Sequence, residues 1–290
     1  MAELIGSSRS VQRTGAARRM SHGAGFVAYC MRLNTVGPGI DPFLSIDHFF
    51  MSQPIFPPHP HAGFSAVTYL FEDSQDILQN RDSLGDRTDI HPGDLHWTQT
   101  GRGIVHEEVP STPGRIAHGV QMFINLTAEE KLKRAQAFHL STEFVPVFSP
   151  SAAVRVRVLC GSAHGLHAPI NPAGWVNILD VKLDAVTSMQ HDVGPNLSAF
   201  ALVLSGSATF GPMTDTRSVA QHQAALFSEG GRLVEATAGK DGAHYLLCSG
   251  MPLREPIVAR GPFVMNSAEQ VARVAQDFAA GKLGKLDPTY

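Results

Sequence analysis

The sequence has 290 residues, a formal net charge of −3 and 17% charged residues, below the roughly 25% of an average globular chain. Its 43% hydrophobic content supplies material for one or two packed cores and excludes an intrinsically disordered chain. The near-neutral balance gives no electrostatic basis for direct nucleic-acid binding, and no run approaches 18 apolar residues, which excludes a membrane-spanning helix.

In chain order, the first twenty residues carry Arg9, Arg13, Arg18 and Arg19 against Glu3. A transit peptide has such a composition, but the segment reads as a loose or edge-forming N-terminus. Residues 25–125 are short apolar runs broken by turns: Phe64–Phe71, then the polar stretch Asn80–Arg87, then His91-Pro92-Gly93-Asp94. Such spacing predicts an all-β sandwich or barrel. Thr127 with Glu130 three residues on is a capping-box spacing and predicts a helix over 127–138. The Pro- and Ser-rich stretch 143–150 predicts a linker. Beyond it, Val154–Leu159 alternates apolar and basic residues and predicts a half-exposed strand. Val176–Leu183, Phe200–Leu204 and His244–Leu247 continue the strand pattern. Ser267 with Gln270 opens a second helix, whose stripe Val271, Val274, Ala275 and Phe278 reads as core packing and ends at Gly281. Cys30, Cys160 and Cys248 include no CxxC pair, so neither a disulfide framework nor a thiolate zinc site is supported. They read as reduced, mostly buried thiols in a cytoplasmic protein.

The halves resemble each other. Thr68–Asp73 (TYLFED) aligns with Ala201–Gly206 (ALVLSG), and Thr100–Val105 (TGRGIV) with Gly230–Glu235 (GGRLVE). A duplicated β-domain is the economical account of a fixed internal offset. The chain therefore reads as all-β, with a first domain over 1–142 and a second over 143–290.

The chemistry concentrates in the first half. In Phe56–Phe64 (FPPHPHAGF), His59 and His61 are two apart, so on a strand both imidazoles point to one face. His106 and Glu108 share a face in the same way, in the run GRGIVHEEVP. Two such pairs on neighbouring strands can converge into a mixed nitrogen and oxygen site for one divalent transition metal. The plain alternative for each pair is half-buried imidazoles bonded to backbone carbonyls.

The segments HPHAGF, VTYLFE, RDSLGD, PGDLHW, GRGIVHEE and the late GPFVMN (Gly261–Asn266) resemble the pirin family of the cupin superfamily, over about Arg32 to Gly284. The resemblance implies a bicupin, two β-barrels in tandem with a few short helices, the first holding one metal through His59, His61, His106 and Glu108. Fe(II) is the metal implied first, with Ni, Mn, Co, Cu or Zn also compatible with these donors. Ala62 stands where the family commonly has Arg, Asn80 where it has His, and His96 where it has Gln. These departures are expected to reshape the pocket rim or its electrostatics. By the repeat offsets, His59 and His61 correspond to Asp192 and Gly194, with His191 close to that register, and His106 and Glu108 to Ala236 and Ala238. The second barrel is therefore expected to be metal-free, with His164, His167, His222 and His244 as surface or core residues.

Three functions follow from the resemblance. One is a quercetinase-type dioxygenase that opens a flavonol ring with O₂, with a small aromatic substrate and Glu108 as the base that takes its hydroxyl proton. Another is an iron-dependent redox-sensing regulator acting through protein partners, to which Arg102 or the basic N-terminus would contribute contacts. The third is a metal-stabilised fold without catalysis. Asp47 is a candidate to orient a ligand imidazole, beside His48 and Phe49. Phe64 and Phe123 are candidate barrel lining, and Trp97 reads as core.

Overall fold

A computed structural model describes residues 7–290. The first half contains β1 (Val11–Ala16), β2 (Arg18–His22), β3 (Phe26–Arg32), α1 (Leu33–Val36), β4 (Phe43–Met51), β5 (His59–His61), β6 (Phe64–Leu70), β7 (Leu78–Asp82), β8 (Arg87–Ile90), β9 (Leu95–Gln99), β10 (Ile104–Pro110), β11 (Ala117–Asn125) and β12 (Gln136–Leu140). The second half contains β13 (Val147–Ser151), β14 (Val154–Cys160), β15 (Ser162–Ala163), β16 (Leu166–His167), β17 (Val176–Leu183), β18 (Ser188–Asp192), β19 (Ser198–Phe210), β20 (Arg217–Ala220), β21 (Gln223–Phe227), β22 (Leu233–Gly250), β23 (Val258–Arg260), β24 (Phe263–Met265) and α2 (Ala268–Ala279). The fold is mostly β, with two tandem barrels and few helices, as the sequence predicts.

The internal repeat is visible in the strand order. The seven-stranded sheet of the first barrel runs β12-β9-β6-β11-β4-β3-β2, and the main path of the second runs β1-β21-β19-β22-β17-β14-β13. The aligned segments Thr68–Asp73 and Ala201–Gly206 begin in β6 and lie within β19, third in the order of their sheets. The first barrel adds a four-stranded sheet, β5-β10-β7-β8. The outer faces of the two large sheets pack on each other through Val67, Val120, Phe43, Ile178, Phe200 and Leu246. That shared apolar core fixes one barrel on the other.

Several expectations are corrected by long-range pairing. Residues 127–138 do not form a helix. The Thr127 cap is made, its Oγ1 accepting from the Glu130 N–H at 3.3 Å. The chain makes only a 3₁₀ turn at Glu130–Leu132 before Gln136–Leu140 is drawn into β12 against β9. Ladder bonds outweigh a local helical preference worth a few tenths of a kcal/mol per residue. The expected linker at 143–150 forms a 3₁₀ turn and the edge strand β13, paired with β14. Strand 154–159 is not half-exposed. Arg157 is buried and meets Glu72 of the first barrel at 2.6 Å.

Both chain ends cross the division expected at 142/143. At the N-terminus, β1 pairs with β21 of the second barrel, while β2 pairs with β3 of the first. The N-terminal segment is thus edge-forming. Its Arg9 is buried and donates to the carbonyls of Gly231 (2.7 Å) and Leu197 (2.8 Å). Glu3 lies outside the described residues. At the other end, Ser267 caps α2 by accepting from the Gln270 N–H, and Val271 and Val274 pack with Ala62 and Val105 of the first barrel.

Two histidines away from the first barrel's cavity are held neutral. Burial, with His118, His222 and His244 nearby, pushes His48 down to about 3. Burial, with His164 nearby, does the same to His191. Each takes a proton near pH 6.5 when unfolded but not when folded, so stability is full above about pH 6.5 and falls as pH drops toward 3. Each costs up to ~1.4 kcal/mol per pH unit in that window. The urea midpoint is expected to fall by an amount worth a few kcal/mol between pH 7.5 and pH 5. An unchanged midpoint would contradict this assignment.

Candidate metal centre

The three-residue strand β5 pairs antiparallel with β10, setting His59 opposite His106 and His61 opposite Ile104. Strand alternation then places His59, His61 and His106 on one face. Their ring centroids stand 4.7 to 4.9 Å apart and nearly edge-on, and one ligand nitrogen from each lies within 4.8 Å of the others. Among the described residues, no other group of three potential donors from His, Cys, Asp or Glu is this close.

The imidazoles are neutral. Burial, with His59 beside it, pushes His61 down to about 3. Burial, with His61, His59 and His96 nearby, takes His106 well below 6.5. Burial lowers His59 as well, against the carbonyl of Pro57. His59 Nδ1–H donates to that carbonyl at 2.9 Å, which leaves Nε2 as the lone-pair nitrogen. The Nδ1 atoms of His61 and His106 have no hydrogen-bond partner. Three neutral, converging imidazoles fit a first-row divalent ion.

Glu108 stands outside this nitrogen group but lines the same cavity. The Thr68 Oγ1 lies 2.8 Å from both of its carboxylate oxygens and 2.7 Å from Gln121 Oε1. One hydroxyl hydrogen cannot serve both neighbours, so the protonation of Glu108 and the orientation of the Gln121 amide are linked. Burial pushes Glu108 up to about 7, against the pull of the Thr68 hydroxyl.

The cavity has a volume of about 230 Å³, and its remaining walls include Met20, Phe26, Phe49, Phe56, Leu78 and Phe123. Phe64 is buried behind Phe123, with ring centroids 4.6 Å apart. The N-terminal hairpin also brings His22 and Cys30 to the wall, a contribution that sequence spacing alone did not reveal. Its clearest signal is Phe26, Ala28 and Cys30 alternating inward on β3.

Other sequence candidates take other roles. Asp47 lines the cavity but forms an ion pair with Arg32 across β3 and β4 and orients no imidazole. His48 bonds His118, Nε2 to Nε2 at 2.8 Å. Trp97 is fully buried core. Arg102 is exposed on a separate groove with Arg273 and Lys282. Ala62, Asn80 and His96 do not line the cavity, which corrects the expectation of an altered rim. His96 retains an electrostatic role through its effect on His106.

In the second barrel, Ala236 pairs with Met189 and Val234 with His191. Aligning Ala236 with His106 makes Met189 the counterpart of His59 and His191 that of His61, in place of Asp192 and Gly194. His191 Nε2 bonds the Tyr245 hydroxyl at 2.8 Å and Nδ1 bonds His164 at 3.2 Å. Ala236 and Ala238 pack among Val156, Val181 and Phe210. His167 is exposed, His222 stacks on Tyr29 and His244 bonds Asp180.

Residues 30–124 match the family model described as Pirin, and residues 178–284 match the Pirin C-terminal cupin domain. The chain is 33% identical to human Pirin over 281 residues, covering 97% of this chain and 96% of that protein. It is 32% identical over 290 residues to a Pseudomonas aeruginosa protein provisionally named quercetin 2,3-dioxygenase, covering 95% and 98% of the two chains. A solved structure titled quercetin 2,3-dioxygenase, from Acinetobacter baumannii, shares the fold with a TM-score of 0.87 at 24% identity, over 97% of this chain and 100% of that one.

Elemental analysis after reconstitution is expected to give one metal per chain. His106→Ala should weaken binding at least ~100-fold and Glu108→Gln by no more than ~10–100-fold, because Glu108 lies outside the imidazole group. Undiminished binding by His106→Ala would contradict the site.

Proposed function

Because the chain belongs to the pirin family, we propose that it is a metal-dependent dioxygenase of quercetinase type, opening a flavonol-like substrate with O₂. The observation that carries this reading is the convergence of His59, His61 and His106 at a cavity whose other walls are largely apolar and aromatic. The similarity to the Pseudomonas aeruginosa protein supports it.

His59, His61 and His106 would hold the ion, with Glu108 as a fourth donor that can leave Thr68. Fe(II) is the proposed metal, and the same donors accept Ni, Mn, Co, Cu or Zn. When bound, the ion supplies Lewis-acid and one-electron chemistry. The protein's own residues do the rest. Phe26, Phe49, Phe56 and Phe123 offer faces and edges for a planar aromatic ring and keep bulk water from it. The Glu108 carboxylate takes the substrate hydroxyl proton, a role suited to a carboxyl that burial brings near neutrality. Thr68 then fixes the protonated carboxyl in place.

The three cysteines are buried and free, which supports a reducing, cytoplasmic setting. No described helix is long and apolar enough to cross a membrane.

The reading is tested by loading the protein with Fe(II) under argon, adding quercetin and air, and following the flavonol absorbance. Turnover above that of free metal is expected, and Glu108→Gln should lower kcat by about 10²–10⁴. A metal-loaded protein that consumes no quercetin, but captures different proteins in its ferrous and ferric forms, would overturn the enzyme reading in favour of a redox-sensing regulator.

A further inference from the structure

Of the two strands that carry the imidazoles, β5 is a three-residue edge strand and β10 lies between it and β7, and residues 261–289 contact the surroundings of both from outside. Just after β5, the Val264 N–H donates to the Ala62 carbonyl at 2.9 Å, and Ala62 bridges to Phe263. Gly63 follows with φ +89°, and a Cβ there would lie 1.7 Å from the Val264 carbonyl oxygen. Only glycine fits that approach. The late GPFVMN segment, which metal binding and catalysis leave unexplained, is thus the outer neighbour of the HPH strand.

On β10 the contact is polar. His106 and Glu108 face the cavity, so Glu107 between them faces outward. It is nonetheless fully buried. Its carboxylate accepts from Arg81 Nε at 3.1 Å and from the Thr289 hydroxyl at 3.0 Å. Arg81 also donates to the Asp287 carbonyl at 2.7 Å, and the Ser83 hydroxyl to the Leu283 carbonyl at 2.6 Å. Leu283 packs against Gly103, where a Cβ would meet its side chain at 2.5 Å. The outward face of the ligand strand is therefore completed by residues 283–289.

We propose that residues 261–289 form a strap whose docking is coupled to metal occupancy of the His59, His61 and His106 site, with Glu107 as the positioning residue. The inference rests on the metal reading above. Hydrogen bonds made directly to ligand side chains are worth about 10–100-fold in metal affinity, and that range bounds what contacts on the ligand strand can contribute. Coupling is reciprocal, so a strap that tightens metal binding is itself held more firmly when metal is bound. Occupancy of a buried site would then be legible at the C-terminus.

The test uses Co(II) as probe on the full chain, on a chain ending at Gly284, and on Thr289→Val, which removes one hydrogen bond without adding charge. The shortened chain is expected to bind one Co(II) with a dissociation constant raised at least tenfold and an altered visible ligand-field spectrum. Thr289→Val should shift in the same direction by a smaller factor, and it carries the test if the shortened chain fails to fold. In the full chain, trimming by carboxypeptidase should slow several-fold on Co(II) loading. Unchanged affinity, spectrum and trimming rate, with Co(II) bound, would overturn the strap and leave the metal reading standing. A full chain that takes up no Co(II) would overturn both.

Discussion

The structure turns on the gathering of three imidazoles on the inner face of two adjoining strands. Grouped polar side chains in a protein interior are unfavourable unless something satisfies them. Here the surroundings keep the rings uncharged and leave the Nδ1 atoms of His61 and His106 without partners. The sequence accepts that cost at one place and surrounds it with a rigid support. The β5–β10 pairing sets the spacing of the rings.

The second barrel shows the same architecture without the cost. Ala236 and Ala238 stand where the offset places His106 and Glu108, and valines, alanines and Phe210 fill the interior. The one imidazole left at an equivalent register, His191, is satisfied by Tyr245 and His164. One barrel is a container and its twin a packed block. The packed block also serves the container, because the apolar interface and the Glu72–Arg157 contact fix them together, and the C-terminal segment reaches back over the ligand strands.

Much of this was legible in the sequence because it rests on local periodicity. Alternation pairs His59 with His61 on one side of their strand and His106 with Glu108 on one side of theirs, and the internal offsets expose the duplication. What stayed hidden depends on contacts between distant residues. The capping signal at Thr127 is real, yet the pairing of Gln136–Leu140 with β9 decides the outcome. Arg157 looked solvent-facing because Glu72, 85 positions earlier, was not visible as its partner. Asp47 was misread for the same reason, its charge being taken by Arg32. The N-terminal hairpin shows only the alternation of Phe26, Ala28 and Cys30, which does not say what it faces, and the Thr289–Glu107 contact, 182 residues apart, has no local pattern. In the second barrel the offset was wrong for Asp192, because strand register, not residue count, decides which side chains are equivalent.

X-ray absorption at the metal edge of the reconstituted protein tests the central claim most directly. The account predicts a first shell of nitrogen and oxygen with the outer-shell scattering of about three imidazole rings, reduced by one ring in His61→Ala. A first shell with sulfur, or one without imidazole scattering, would contradict it.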